Sequence, residues 1–163
     1  MLQQFRAWAT SRLLLLLAAL SLGACRSALV TTEKLVQLER TACMGPCPVD
    51  RLTVYADGRL EYEGQKNAPR QGFFAGQLTG PEREQLAAKF AAADVFSLQD
   101  SYVAPVSDLP TKYLTYWQGS RSKRIRNYAG APESLKALEA ELITLIKTER
   151  WQKTAPPAGA ARP

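Results

Sequence analysis

Apolar and polar positions alternate with period two over two early stretches. Lys34 to Arg40 carries Val36 and Leu38 on one parity. Val49 to Ala56 sets Leu52, Val54 and Ala56 against Arg51, Thr53 and Tyr55. Both read as half-buried strands. Asp57-Gly58 is the dipeptide favoured in type I′ hairpins, and RLEYEG returns with Leu60 and Tyr62 on one face. GFFAGQLT reads as a further strand, after which TGPEREQLAAKFAAADVF shifts to helical spacing. There Leu86, Phe90 and Ala93 recur on one side and Pro81 falls in the first turn. DSYVAPVSDLP has two prolines and no period, so it is expected as a loop. TKYLTYWQGSRSKRIRNY forms a second hairpin turning near Gly119. APESLKALEAELITLIKTERW is a closing helix with Leu135, Leu138, Leu142, Leu145 and Ile146 in one stripe and Pro132 in its first turn. The pattern predicts an α+β fold, an antiparallel sheet of about five to six strands built from hairpins with two amphipathic helices packed on one face.

Ahead of these elements the pattern is of another kind. Residues 1–24 hold Arg6, Arg12 and no acid, with an apolar stretch from Leu13 to Leu22. That is shorter than the ~20 residues needed to cross hydrocarbon as a helix, and it is flanked as a secretory signal is. Leu22-Gly23-Ala24-Cys25 resembles the lipobox of bacterial lipoproteins. The resemblance implies diacylglyceryl transfer to Cys25, cleavage before it and acylation of the new amino terminus. Two or three acyl chains would make the anchor effectively permanent. In Gram-negative lipoproteins an Asp after the lipidated Cys retains the protein in the inner membrane, so Arg26 points to the outer membrane, facing the periplasm. The expected organisation is a cleaved signal peptide over 1–24, the lipidated Cys25 and a short tether over 25–32, one domain over 33–152 and a disordered Pro/Ala-rich tail over 153–163.

Composition narrows the chemistry. The 139 residues from Cys25 onward suffice for one core but not comfortably for two. They carry 19 basic and 15 acidic residues, a formal charge of +4. That suits anionic lipid headgroups, whereas nucleic acid is an improbable partner for an exported protein. The chain has no histidine, which removes catalytic triads, most zinc sites and haem-histidine ligation together. No cofactor, metal or catalytic residue is expected, and the protein is expected not to be an enzyme.

With Cys25 assigned to lipid, Cys43 and Cys47 remain as a pair. Gly45, Pro46 and Pro48 argue against a helix through them, and a tight loop can bring their Cα atoms within the ~4.4–6.8 Å a disulfide needs. In an oxidising compartment a structural disulfide is the expected state. The alternative is a thiol redox or Cu(I)-handling protein, since two thiolates suit a soft ion. CMGPCP resembles the CxxxCP segment of copper-binding thioredoxin-like assembly proteins, but those also need a histidine.

A second resemblance is broader. Cys43-x-Gly45-x-Cys47-Pro48, then LTVYADGRLEYEG, the DSYVAPVSDLP loop, RNYAGAPESLKALE and Trp151 are similar to a family of bacterial domains of unknown function with a CxGxCP signature. The likeness runs from Leu35 to Trp151. It implies an exported single domain in which the CxGxCP loop and the Asp108 loop recur, and it implies no activity. Many members have an aromatic two residues after the signature proline, where this chain has Asp50.

Other candidates are weaker. Asp108 and Tyr102 lie in the proline-bearing loop, where turn chemistry competes with ligand binding. In RSKRIR, Arg124 and Arg126 share a face that either discourages edge aggregation or meets anionic headgroups. The expected function is a lipid-anchored cell-envelope module, non-enzymatic, that binds an envelope protein or acts as a structural accessory.

Overall fold

The computed structural model describes residues 33–157. The expected signal peptide, the lipidation site Cys25 and the tether over 25–32 lie outside the described residues, as do 158–163.

The chain folds as β1 (Lys34–Arg40), β2 (Asp50–Tyr55), β3 (Arg59–Gly64), β4 (Gly72–Gln77), α1 (Gly80–Ala92), β5 (Ser101–Tyr102), β6 (Lys112–Gln118), β7 (Arg121–Asn127), α2 (Glu133–Lys147) and β8 (Gln152–Thr154). One eight-stranded sheet runs in the order β5-β7-β6-β1-β2-β3-β4-β8. Every pairing is antiparallel except the two-residue parallel match of β5 with β7.

Six strands match the expected ones. The two others, β5 and β8, are the sheet's edges and correct the count of five to six. Each is two or three residues long, too short to show a period, and exists because a neighbouring strand offers it hydrogen bonds. Lys153 and Thr154, expected in the tail, belong to β8.

Register explains where the core sits. Val36 pairs with Val54 and Tyr116, and Leu38 pairs with Leu52 and Leu114. Leu60, Tyr62 and Ile125 continue the same rungs. A period of two puts all of these on one face, and all are buried. Both helices cover that face. Leu86 and Phe90 of α1 join one cluster with Leu135, Leu138, Leu142, Leu145 and Ile146 of α2. Phe90 stacks on Tyr116 with ring centroids 5.0 Å apart, and Lys89 reaches Glu141 of the neighbouring helix at 2.8 Å. Each fully buried aliphatic side chain of this kind contributes ~1.5–3 kcal/mol.

Local chemistry sets the element ends. Thr79 caps α1: its backbone N–H donates to Glu82 Oε2 at 2.8 Å and its hydroxyl accepts from the Glu82 N–H, a reciprocal capping box. The first hairpin departs from expectation. Gly58 alone has positive φ, at 88°, while Asp57 does not. Gly58 N–H donates to the Tyr55 carbonyl at 2.9 Å, so Ala56 and Asp57 form the turn and glycine follows it in the left-handed region. The Asp57 carboxylate accepts from the Arg59 N–H at 3.0 Å instead of adopting the type I′ conformation.

Candidate functional site at the disulfide end of the sheet

β1 enters the sheet beside the two hairpin turns and leaves it at the other end, seven residues later. Its last residue, Arg40, pairs with Asp50, the first of β2, so residues 41–49 project from that end as a loop. Cys43 and Cys47 are joined in a disulfide with Cα atoms 5.7 Å apart. The Gly45 N–H donates to Cys43 Sγ at 3.2 Å, folding the chain over the bridge. Met44, at the tip, is 88% exposed.

A buried ion pair clamps the base of this loop. Arg40 donates to both carboxylate oxygens of Asp50, at 2.7 and 2.5 Å, and the Tyr62 hydroxyl donates to Asp50 Oδ2 at 2.8 Å. Asp50 is only 4% exposed, a burial that bidentate pairing and the third bond make tolerable. Burial, and then the bond to Asp50, push the Tyr62 phenol far above its usual pKa, so it stays a donor. The same rung continues across β6 and β7. Lys112 pairs with Arg40 in register, and Asn127 with Lys112. Glu139 of α2, 1% exposed, accepts from Lys112 and, at 2.8 and 2.9 Å, from the Asn127 amide. The end of the hydrophobic core is thus sealed by a row of compensated polar groups.

Two further loops brace the disulfide loop. Thr41 and Thr111 exchange three hydrogen bonds of 3.0–3.2 Å, tying it to residues 103–111. The Val49 N–H donates to the Lys66 carbonyl at 2.8 Å, and the Gln65 N–H to the Val49 carbonyl at 2.9 Å, tying it to residues 65–71. The last of these loops crosses so close to β3 that a Cβ on Gly64 would sit 1.7 Å from the Arg70 carbonyl oxygen, and only glycine fits there. Arg70 in turn donates to the carbonyls of Ile146 and Thr148, capping the carboxyl end of α2.

This end displays apolar side chains among polar ones such as Lys66, Asn67, Ser107 and Asp108. Among the described residues the exposed large hydrophobic side chains are Met44, Val103 (61%), Val106 (47%) and Leu109 (43%). All four lie on the disulfide loop or on residues 103–111, which the Thr41–Thr111 bonds tie to each other.

Of the residues singled out from sequence, Cys43 and Cys47 form the bridge. Tyr102 lies in β5, where its hydroxyl accepts from the Gln99 N–H at 3.0 Å. Asp108 takes a left-handed φ of 63°, the conformation in which Asp serves a turn. Arg124 and Arg126 do share a face, but it is the one opposite the helices. Arg124 is engaged there by Glu39 at 2.9 Å, by the Thr115 hydroxyl at 3.4 Å and by the Tyr113 ring at 4.4 Å. Sequence reasoning misses Asp50 and Glu139, although each carries a signal. Asp50 shares the inward parity of Leu52 and Val54, and Glu139 falls within the α2 stripe, one turn past Leu135.

An α+β domain with one helical layer, ending in three mutually braced loops of which one is closed by a disulfide, is the class this fold and site define. Residues 34–146 match the model of a domain of unknown function, DUF6438, and the chain belongs to that family. No curated protein matches the chain.

Proposed function

We propose that this protein is a lipid-anchored cell-envelope module, held by acyl chains on Cys25, that catalyses no reaction and docks onto another envelope protein through its disulfide end. One observation carries the reading: Met44, Val103, Val106 and Leu109 are exposed on two loops at the end of the sheet remote from the point where the chain enters β1. Single exposed apolar residues are ordinary, but four on two braced loops form a surface that a partner can desolvate. Bracing lowers the ordering cost of binding, because the loops are held before the partner arrives. The seven residues of β1 span ~20 Å, which sets this end well apart from residue 34, where the chain enters the sheet. Outer-membrane attachment facing the periplasm follows from Arg26 and is part of the proposal.

Anionic headgroups are a poorer match. Arg124 already spends its charge on Glu39 and the Tyr113 ring, which leaves Arg126 to supply that interaction. The rival reading, a thiol redox or Cu(I)-handling protein, has Met44 in its favour, a thioether beside the two sulfurs of the same exposed loop.

Fractionation and alkylation of the exported protein separate these readings. Wild-type protein is expected in the membrane fraction with Cys43 and Cys47 linked and unalkylated, with Cys25→Ala unprocessed or released from the membrane. A processed Cys25→Ala chain that stays membrane-bound would sink the lipid anchor. Thiols that alkylate without reductant, or copper co-purifying in stoichiometric amount, would overturn the docking reading for the rival one.

A further inference from the structure

The face of the sheet opposite the helices carries a trough of about 410 Å3 that runs across the strands from β1 to β4. Side-chain length shapes it. Gln37, Thr53, Glu61 and Ala75 lie opposite one another on neighbouring strands, and Thr53 and Ala75 are short. The flanking rows are taller. Arg51, Glu63 and Phe73 form one side, with Arg51 reaching Glu63 at 3.0 Å. Lys34 and Tyr55 form the other. Glu61 leans to that side, off the floor, because its carboxylate accepts from the Tyr55 hydroxyl at 2.7 Å and from Arg59 at 2.6 Å. A volume of this size falls in the range of small-ligand sites. We infer that the trough binds a neutral saccharide, its apolar C–H face resting on Phe73 and its hydroxyls bonding to the Gln37 amide, the Thr53 hydroxyl and the Glu61 and Glu63 carboxylates. The site lies on the open face of the sheet, apart from the disulfide end, and does not depend on the docking reading.

Charge fixes the first property of the ligand. Lys34 and Arg51 stand against Glu61 and Glu63 along the trough, and neither carboxylate is free, since Arg59 holds Glu61 and Arg51 holds Glu63. An ionic ligand of either sign would meet a like charge within the same trough and would have to break one of these pairs to find its counter-charge. A neutral ligand leaves both in place.

Hydrogen-bonding capacity fixes the second. β2 and β3 are paired on both sides, so the floor offers no backbone N–H or carbonyl, and an extended peptide gains no strand pairing there. Side chains must supply the bonds. The Gln37 amide and the Thr53 hydroxyl each donate and accept, and among the described residues neither is bonded to another group. Thr53 is only 5% exposed, so its hydroxyl sits nearly out of water without a protein partner, a state that a ligand hydroxyl relieves. The two carboxylates keep lone pairs for further donors. A row of hydroxyls, each giving and taking a bond, meets this mixture. Phe73 fixes the third property. Its half-buried ring lines the trough beside Ala155 and Pro157 and is covered by no other ring or cation among the described residues. The negative face of an aromatic ring attracts the C–H groups on the apolar side of a pyranose. A sugar ring thus finds a partner for its hydroxyls and for its C–H face in one trough.

The test titrates the purified full chain with maltotriose, cellotriose and chitotriose while amide spectra are recorded. At least one of the three is expected to shift Gln37, Thr53, Glu61 and Ala75 saturably at millimolar concentration and to leave Met44 and Val106 unmoved. Thr53→Val keeps the shape of the floor and removes the hydroxyl, and Phe73→Leu keeps an apolar side chain and removes the ring. Each should weaken binding of that sugar about tenfold, the worth of one hydrogen bond or one stacked ring, with amides outside the trough unchanged. No saturable shift from any of the three sugars overturns the site, as does wild-type affinity in either variant. A charged trimer, deacetylated chitotriose or trigalacturonate, that binds more tightly than every neutral one overturns the neutral ligand. Stronger shifts of the same amides by blocked trialanine would give the trough to a peptide and count equally against the saccharide.

Discussion

The two ends of the sheet are built on different principles. At the end where the chain enters β1, strands reverse through minimal turns, Ala56–Gly58 and the one at Gly119, and stabilisation comes from solvated groups. Glu82 accepts from Arg150 there at 2.7 and 3.0 Å, with its side chain 36% exposed. At the other end two longer loops are braced against the disulfide loop over two ion pairs, and exposed apolar side chains, Met44, Val103, Val106 and Leu109, stand there among polar ones. A loop needs no such reinforcement merely to reverse direction. The contrast accords with the proposal that rigidity at the disulfide end holds a docking surface, whereas the entry end connects strands.

That contrast can be broken, starting with the largest effect. Asp50→Ala leaves the Arg40 guanidinium buried and removes the acceptor of Tyr62, and should cost ~3–5 kcal/mol in urea unfolding. Its counterpart at the entry end, Asp57→Ala, loses one partly buried hydrogen bond to the Arg59 N–H and should cost under ~1 kcal/mol. Similar losses at the two positions would erase the distinction. Replacing Cys43 and Cys47 together by Ser comes next. The loop closed is short, so chain entropy puts the loss at ~2 kcal/mol. Thermal unfolding with no change in midpoint would mean that the bridge shapes the loop without stabilising the domain.

Glu82→Gln should have the smallest effect, and one that depends on pH. Bonds from Arg150, then from the Thr79 N–H and hydroxyl, lower the Glu82 pKa from 4.5 to about 2. A depressed carboxyl stabilises the fold fully above its unfolded value and loses that contribution as pH falls toward the folded one. The variant should therefore be less stable than wild type at pH 7 by ~1 kcal/mol, discounted for solvent screening. The difference should shrink between pH 4.5 and 2. A gap that persists at the lower limit would assign the effect to packing.

Much of this fold is legible along the chain, because burial on one face imposes a period. Val36 and Leu38, Leu60 and Tyr62, and the five-residue stripe of α2 all point to the core by their spacing alone. The edges are not legible in that way, since Ser101–Tyr102 and Gln152–Thr154 become strands only through their neighbours' hydrogen bonds. The disulfide could be expected from Cys43 and Cys47, but the surface beside it could not. Met44 and Val106 are far apart along the chain, and nothing local marks either of them. They lie on two loops that the Thr41–Thr111 bonds tie together.

The most direct test of the docking claim places a photo-crosslinking amino acid at Met44, Val106, Asp57 or Ser120 in intact cells. The account expects one discrete adduct with an envelope protein from Met44 and Val106, weakened when Cys43 and Cys47 are replaced by Ser, and none from Asp57 or Ser120. Equal adducts from both ends, or none from Met44 and Val106, would contradict it.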